Sequence, residues 1–252
     1  MTDTNLFDLS GKVALVTGGS RGLGRAIVRG LAAAGADVVI ASRSLESCEE
    51  LAAEIESTTG RRAVPVACHV GRWAELDALV DAAYEAFGRV DILVNNAGMS
   101  PVYDDLRSVT EELWDKVVNV NLRAAFRLSA LIGTRMAEGE GGSIVNISSA
   151  SSRRPTPDVI PYAAAKAGVN SMTHGLAHAL GPKVRVNCVV PGTFFTDVSK
   201  HWDKEWFDKL AQTFALGRGG EPEEIVGAVL YLASPASTYT TAALLDVDGG
   251  WS

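Results

Sequence analysis

Residues 12–24 read KVALVTGGSRGLG, and this stretch decides the fold. KVALVT is short, rich in β-branched residues and free of polar alternation, which predicts a strand covered on both faces. From residue 22 the apolar spacing becomes helical and runs to a stop at Gly35, predicting a helix over 22–34. Between them lies a turn with Gly18, Gly22 and Gly24. Glycines let a backbone turn tightly and approach a ligand with no Cβ in the way. The helix start adds free N–H groups and a positive dipole end, which suit a pyrophosphate. The spacing differs from the GxGxxG dinucleotide fingerprint. It is the placement between a first strand and a first helix that gives the nucleotide reading.

Working outward, the same alternation repeats to the end of the chain. Strands are expected over 37–42, 63–67, 91–95, 143–148, 184–190 and 242–247. Helices are expected over 45–57, 72–87, 162–180 and 222–233, with one or two more over 111–136. Strand–helix alternation implies an α/β fold, a doubly wound parallel sheet of about seven strands of the Rossmann type. No linker, repeat or low-complexity tract divides the chain, so residues 1–252 are expected to form one domain. One stretch is irregular. Residues 192–220 hold Phe194, Phe195, Trp202, Trp206, Phe207 and Phe214, which reads as a substrate-binding loop or lid.

In such a fold the residue after the second strand meets the adenosine ribose. An acid there holds the 2′-hydroxyl of NAD, whereas an arginine accommodates the 2′-phosphate of NADP. Here the sequence is Ala41-Ser42-Arg43-Ser44, with no acid, and Arg21 inside the glycine turn can reach the same phosphate. The pattern predicts NADP(H) in preference to NAD(H), with Ser20, Leu23 and Ser42 beside the arginines and glycines.

A second constellation carries chemistry. Tyr162 and Lys166 stand at i and i+4 at the start of a helix, so they share one face. An ammonium beside a phenol favours the phenolate. Free tyrosine titrates near ~10, so a base useful at neutrality needs a drop of ~3 units. Ser148 and Ser149 end the strand before this helix, at the edge where open α/β sheets bind ligands. A hydroxyl there donates to a carbonyl oxygen as charge develops on it.

With these residues in place, the chain resembles the short-chain dehydrogenase/reductase family, in its branch of ~250-residue single-domain enzymes. The resemblance rests on TGGSRGLG (17–24), NNAG (95–98), NVNL (119–122), ISS (147–149), YAAAK (162–166), PGTFFT (191–196) and LLDVDGGW (244–251). It implies an oxidoreductase that moves a hydride between a nicotinamide cofactor and a carbonyl or secondary alcohol. It implies Tyr162 as acid/base and Lys166 as holder of the nicotinamide ribose. The family's spacing of serine to tyrosine selects Ser149, and Asn121 corresponds to the asparagine that supports a proton-relay water. Asn95 to Gly98 would stabilise the sheet centre and line the cofactor groove, with Asn95, Ala97 and Gly98 as cofactor contacts, and Pro191, Gly192 and Thr196 would meet the nicotinamide end. Met99, Phe194 and Trp202 are expected as substrate walls beside Ser149 and Tyr162, favouring apolar or bulky substrates. The family also implies a homo-oligomer, dimer or tetramer, built on the helices around 121–136 and 162–180.

Three departures stand out. His69-Val70 follows the third strand where an aspartate usually meets the adenine, so that contact falls to backbone groups or to His69. The glycine usual after NVNL-type residues is Ala124. The usual Thr-Gly before the last strand reads Thr240-Thr241.

Composition excludes other classes. Apolar residues make up 47% and charged residues 21% of 252, with a net charge of −7, an ordinary globular balance that disfavours nucleic acid and anionic membranes. Cys48, Cys68 and Cys188 show no CxxC spacing, which argues against a disulfide scaffold and for a reducing compartment. The first residues carry no basic start followed by an apolar stretch, so a cytoplasmic protein is expected. His174 and His178 lie at i and i+4 but lack the glutamate of HExxH and a third ligand, so no metal site is expected and a buried or interface pair fits better. Two alternatives remain. A 3-oxoacyl-[acyl-carrier-protein] reductase would want basic residues for an acidic carrier, whereas the segment before the fifth strand reads AEGEGG (137–142). A non-catalytic NADP(H) sensor would have no need of Asn121, Ser149, Tyr162 and Lys166 together.

Overall fold

The structure, a computed structural model, describes residues 5–196 and 204–251, except the side chains at 204, 206 and 208. Strands β1 (Val13–Thr17), β2 (Asp37–Ser42), β3 (Ala63–Ala67), β4 (Ile92–Asn95), β5 (Gly142–Ile147), β6 (Val184–Pro191) and β7 (Leu244–Val247) form one sheet in the order β3-β2-β1-β4-β5-β6-β7. Every pairing is parallel. Parallel strands need crossovers, which here are helices on both faces, and so the central strands are buried on both sides.

Alternate side chains of one strand feed two separate cores. Ala14 and Val16 of β1 pack with Ile27, Leu31, Leu51, Ile55, Val229 and Leu232. These come from α1 (Gly22–Ala33), α2 (Leu45–Thr59) and α8 (Val226–Ala233). Leu15 faces the other way, toward Leu76, Leu79, Leu128, Ile132, Leu176 and Leu180. Those belong to α3 (Trp73–Phe87), α5 (Ala124–Glu138) and α6 (Ile160–Leu180). Each fully buried Leu or Ile stabilises by about 1.5–3 kcal/mol, so the two cores hold the sheet edge that carries the site.

The connections refine the sequence reading. The 111–136 pattern is two helices, α4 (Glu111–Val118) and α5, joined by a π-helical turn over Asn119–Arg123. α4 starts where Thr110 Oγ1 accepts from Leu113 N at 3.1 Å, a side-chain N-cap. The 192–220 stretch is not wholly irregular: it contains α7 (Lys204–Ala211). The 222–233 segment opens as a 3₁₀ turn before α8. His174 and His178 are exposed on α6, not buried. The residue held at positive φ before β7 is Ala242, at 61°. The position that favours glycine is therefore Ala242 and not Thr241, whose hydroxyl accepts from Val186 N at 3.1 Å.

No helix among the described residues is long and apolar enough to cross a membrane. The three cysteines are buried and unpaired, and among the described residues no group of His, Cys, Asp or Glu is arranged to hold a metal.

Candidate active site

β1 leads to β2 and β3 on one side, and β4 to β7 extend on the other. The chain direction across the sheet thus switches between β1 and β4, which opens a crevice at their C-terminal ends. The loops after β1 and β4 are fastened across that crevice. Asn96 Nδ2 donates to the carbonyls of Thr17 and Gly18 at 2.9 and 3.1 Å. In return Thr17 Oγ1 accepts from the backbone N–H groups of Asn96 and Ala97, both at 3.1 Å. Gly18 has φ +62 and its missing Cβ would stand 3.0 Å from Ala97 Cα. A Cβ on Gly24 would stand 2.0 Å from the Gly18 carbonyl oxygen, so only glycine permits this turn.

Other predicted cofactor residues converge on the same turn. The Gly22 Cβ position lies 3.5 Å from Thr196, so the segment after β6 stands over the start of α1. Gly192 packs against Asp248 Cα, 2.7 Å from its absent Cβ, and donates to Val247 O at 3.0 Å. Pro191 is the last residue of β6. Leu23 is half-buried and packs on the first core, and Val70 belongs to the second.

At the tip of β2, Ser20 Oγ donates to Ser42 Oγ at 3.0 Å, and Ser42 Oγ lies 3.1 Å from both Ser44 O and Cys48 Sγ. Arg21 and Arg43 are exposed. Every other arginine donates to a carboxylate or a backbone carbonyl, or, in the case of Arg135, forms an ion pair with Asp81. Arg21 and Arg43 have no such partner among the described residues. Two free guanidinium groups beside two hydroxyls form a ready anion site on a chain of net charge −7. The glycine cradle and this anion site fit a phosphorylated dinucleotide.

Across the crevice, the π-helical turn aims Asn121 inward, a common setting for a functional side chain. Asn121 is 2% exposed. Its Nδ2 donates to Val117 O and Met99 O, both at 2.9 Å, and its Oδ1 accepts from Met99 N at 3.1 Å. Gly98 leaves the room this needs, since its missing Cβ would lie 2.9 Å from Asn121 Oδ1 and 3.5 Å from Lys166 Nζ. Lys166 Nζ donates to Ile147 O at 2.8 Å and lies 5.8 Å from the Tyr162 ring centroid. Burial without a carboxylate partner pushes the Lys166 ammonium down to about 8. Behind it, burial lifts the Cys188 thiol to about 11, so it supplies no counter-charge at neutrality.

Burial also raises Tyr162 above its ordinary value, while the Ser149 side-chain hydrogen bond pulls the other way. The phenol is therefore held protonated in the free protein, ready to give a proton. The two serines have different jobs. Ser148 is 2% exposed and donates to the Lys166 carbonyl at 3.1 Å. Ser149 is half-buried, accepts from Ser151 N at 3.1 Å and shares a side-chain hydrogen bond with Tyr162.

Several placements differ from expectation. Asn95 is 6% exposed, and its Nδ2 donates to Ser129 Oγ and Asn146 Oδ1 at 3.0 and 2.9 Å. It ties β4 to β5 and α5, which is the stabilising role expected at the sheet centre, but it does so beneath the groove and not along its wall. Phe194 is 7% exposed in the first core and bridges to Gly220. It is not a pocket wall, because Gly220 leaves the space that its ring fills. Phe195 is the exposed neighbour and packs against Phe207, centroids 5.0 Å apart and rings tilted by 57°. Met99 is half-buried against the second core. Trp202 lies outside the described residues. Sequence reasoning gave Asn96 a part in stabilising the sheet centre but missed that Thr17 is its partner in the clamp.

Comparison with known proteins agrees with this geometry. The family profile described as Enoyl-(Acyl carrier protein) reductase matches residues 18–252. The short chain dehydrogenase/reductase astE of Aspergillus oryzae is 39% identical over 252 residues, covering 98% of this chain and 97% of that protein. Dehydrogenase/reductase SDR family member 4 of Homo sapiens is 37% identical over 245 residues, covering 96% and 88%. Among solved structures, the NADPH-dependent 3-quinuclidinone reductase of Rhodotorula rubra superposes with a TM-score of 0.94 at 33% identity, covering 100% of this chain and 96% of that one. Glycine turn, crevice, tyrosine and lysine thus sit in a chain that belongs to the short-chain dehydrogenase/reductase family of oxidoreductases.

Proposed function

We propose that this protein is an NADP(H)-dependent oxidoreductase acting on apolar or bulky ketones and secondary alcohols. The observation that carries the cofactor preference is the contrast among its arginines. Arg21 and Arg43 alone lack a carboxylate or carbonyl partner among the described residues, and they flank Ser20 and Ser42. Bound nicotinamide supplies or accepts the hydride. In the direction of reduction, Ser149 donates to the substrate oxygen and Tyr162 gives it the proton. Lys166 holds the ribose and offsets the negative charge left on the Tyr162 phenol, and Asn121 fixes the backbone at Met99 beside them. In the direction of oxidation the same groups run backwards. Phe195 follows β6 and Met99 follows β4 at this edge, and Trp202 belongs to the same segment as Phe195, which supports apolar substrates.

Fluorescence titration tests the cofactor reading. Wild-type protein should bind NADPH more tightly than NADH. Arg43→Asp should lose about 1.5–3 kcal/mol of NADPH binding, roughly 10- to 150-fold. NADH bound at least as tightly as NADPH by the wild type would refute it. Steady-state kinetics on apolar ketones, small keto acids and a carrier-bound 3-oxoacyl thioester tests the substrate reading. A preference for keto acids or for the carrier would overturn it. We further infer a cytoplasmic homo-oligomer, supported by the exposed Trp114 and Phe126 on α4 and α5. Light scattering that reports a monomer would refute that.

A further inference from the structure

The first turn of α6 carries Tyr162 but has little local support. Lys166, one turn later, is pinned twice: its Nζ donates to Ile147 O at 2.8 Å and its carbonyl accepts from Ser148 Oγ at 3.1 Å. The residues just before Tyr162 have no such anchors of their own. Residues 153–158 are exposed, and Pro155, Pro157 and Pro161 have no N–H to offer. α6 begins at Ile160, and the side chain of Val159 before it makes no capping hydrogen bond. The first N–H groups of a helix lack partners within the helix, and such turns fray.

The missing support comes from another loop. Tyr103, half-buried in the segment after β4, accepts from Ile160 N at 3.1 Å and donates to Pro157 O at 2.8 Å through one phenolic oxygen. A phenol can do both at once. Among the described residues, these two are the only hydrogen bonds that tie residues 155–160 to a distant part of the chain. The segment that carries Tyr103 is itself held. Met99 is bonded through its N–H and its carbonyl to the Asn121 side chain. A path of bonded groups thus runs from Asn121, through residues 99–103, to the start of α6, just short of Tyr162.

We propose that Tyr103 is a positioning residue, whose hydroxyl caps α6 from outside the helix and so holds the Tyr162 phenol in place beside Ser149 and Lys166. Tyr103 passes on no proton of its own, because its O–H is committed to Pro157 O. Its effect is geometric. A reacting group displaced by about 1 Å can lose far more rate than the helix loses stability, so the cap acts on turnover. The glycine turn at 18–24 and the arginines at 21 and 43 do not depend on this bond, and dinucleotide affinity should not follow it. The inference rests on the oxidoreductase reading above, in which Tyr162 gives the proton, but not on the preference for NADP(H).

The test is a double-mutant cycle with Tyr162→Phe, read by steady-state and single-turnover kinetics with NADPH and an apolar aryl ketone such as acetophenone. Tyr103→Phe removes one oxygen and keeps the ring. It should lower kcat about five- to fiftyfold, within the worth of two hydrogen bonds, and leave dinucleotide affinity within about twofold. In the Tyr162→Phe background the same change should cost less than about twofold, because the group it positions is gone. Equal losses in the two backgrounds, a raised KM with kcat intact, or full activity in Tyr103→Phe overturns the inference. Hydrogen exchange gives a readout free of turnover: the Ile160 amide should exchange about tenfold faster in Tyr103→Phe than in the wild type. If Tyr103→Phe does not fold, the wild-type amide decides, since protection supports the cap and exchange at the open-chain rate overturns it. A wild type that turns over no ketone or alcohol would instead defeat the oxidoreductase reading, and the exchange comparison would still support or overturn the cap.

Discussion

The two ends of the crevice are built by different means. Around Gly18, Gly24, Thr17 and Asn96 the shape is set by backbone: positive φ, absent Cβ atoms and amide-to-carbonyl bonds. Around Phe194, Phe195 and Phe207 it is set by side chains, with Phe194 turned into the core and Phe195 packed at a tilt against Phe207. A backbone-built site tolerates almost no substitution, so few residue types satisfy it and its sequence is specific. A side-chain-built wall accepts many apolar residues of similar size, and composition alone does not say which of them face inward. The first end suits a constant ligand and the second a variable one.

The largest effect should come where the two ends meet. Tyr162→Phe removes the proposed proton donor while leaving both walls intact, so turnover should fall by about 10²–10⁴-fold with cofactor affinity unchanged. Rapid kinetics beside fluorescence titration would check it. A variant that kept turnover, or that lost cofactor binding in parallel, would place the proton transfer elsewhere.

Next in size is an attack on the backbone-built end. Gly24→Ala drives a methyl into the Gly18 carbonyl and should destabilise the protein by about 1–3 kcal/mol. Dinucleotide affinity should fall with it, because the turn must open. Phe195→Ala, at the other end, should shift KM for bulky ketones and leave dinucleotide affinity alone. Calorimetric melting and titration of both variants give the comparison, and equal losses of dinucleotide affinity would erase the distinction drawn here.

The smallest effect lies outside both ends. Ala242 is strained at φ 61°, and an L-residue there costs about 1–2 kcal/mol. Ala242→Gly recovers part of that against the extra chain entropy of glycine, a net gain of about 0.5–1 kcal/mol. The melting temperature should rise by a few degrees with both affinities untouched, and a drop would show that the Ala242 methyl is needed for packing.

Much of this was legible in the chain. Each strand appeared as an apolar run because a doubly covered parallel strand has no wet face, and β1 to β6 fall within two residues of their expected bounds. That Tyr162 and Lys166 share one helix face followed from their spacing, whereas their chemical roles came from the family resemblance. Three things were not legible. The π-helical turn at Asn119–Arg123 has no local signature, because one extra residue per turn leaves the apolar spacing nearly unchanged. Helix α7 was hidden by mixed charges and closely spaced aromatics, which blur a 3.6-residue period over eight residues. Phe194 could not be told from Phe195, since neighbouring positions in an irregular segment carry no period that separates in from out.

The clamp between Thr17 and Asn96 has a kinetic meaning. The two rims of the groove are bonded to each other before any ligand arrives, so there is no slack to take up and no gate to open on that side. If dinucleotides bind here as proposed, encounter alone should set their association rate, and competitors should differ in how long they stay rather than in how fast they come.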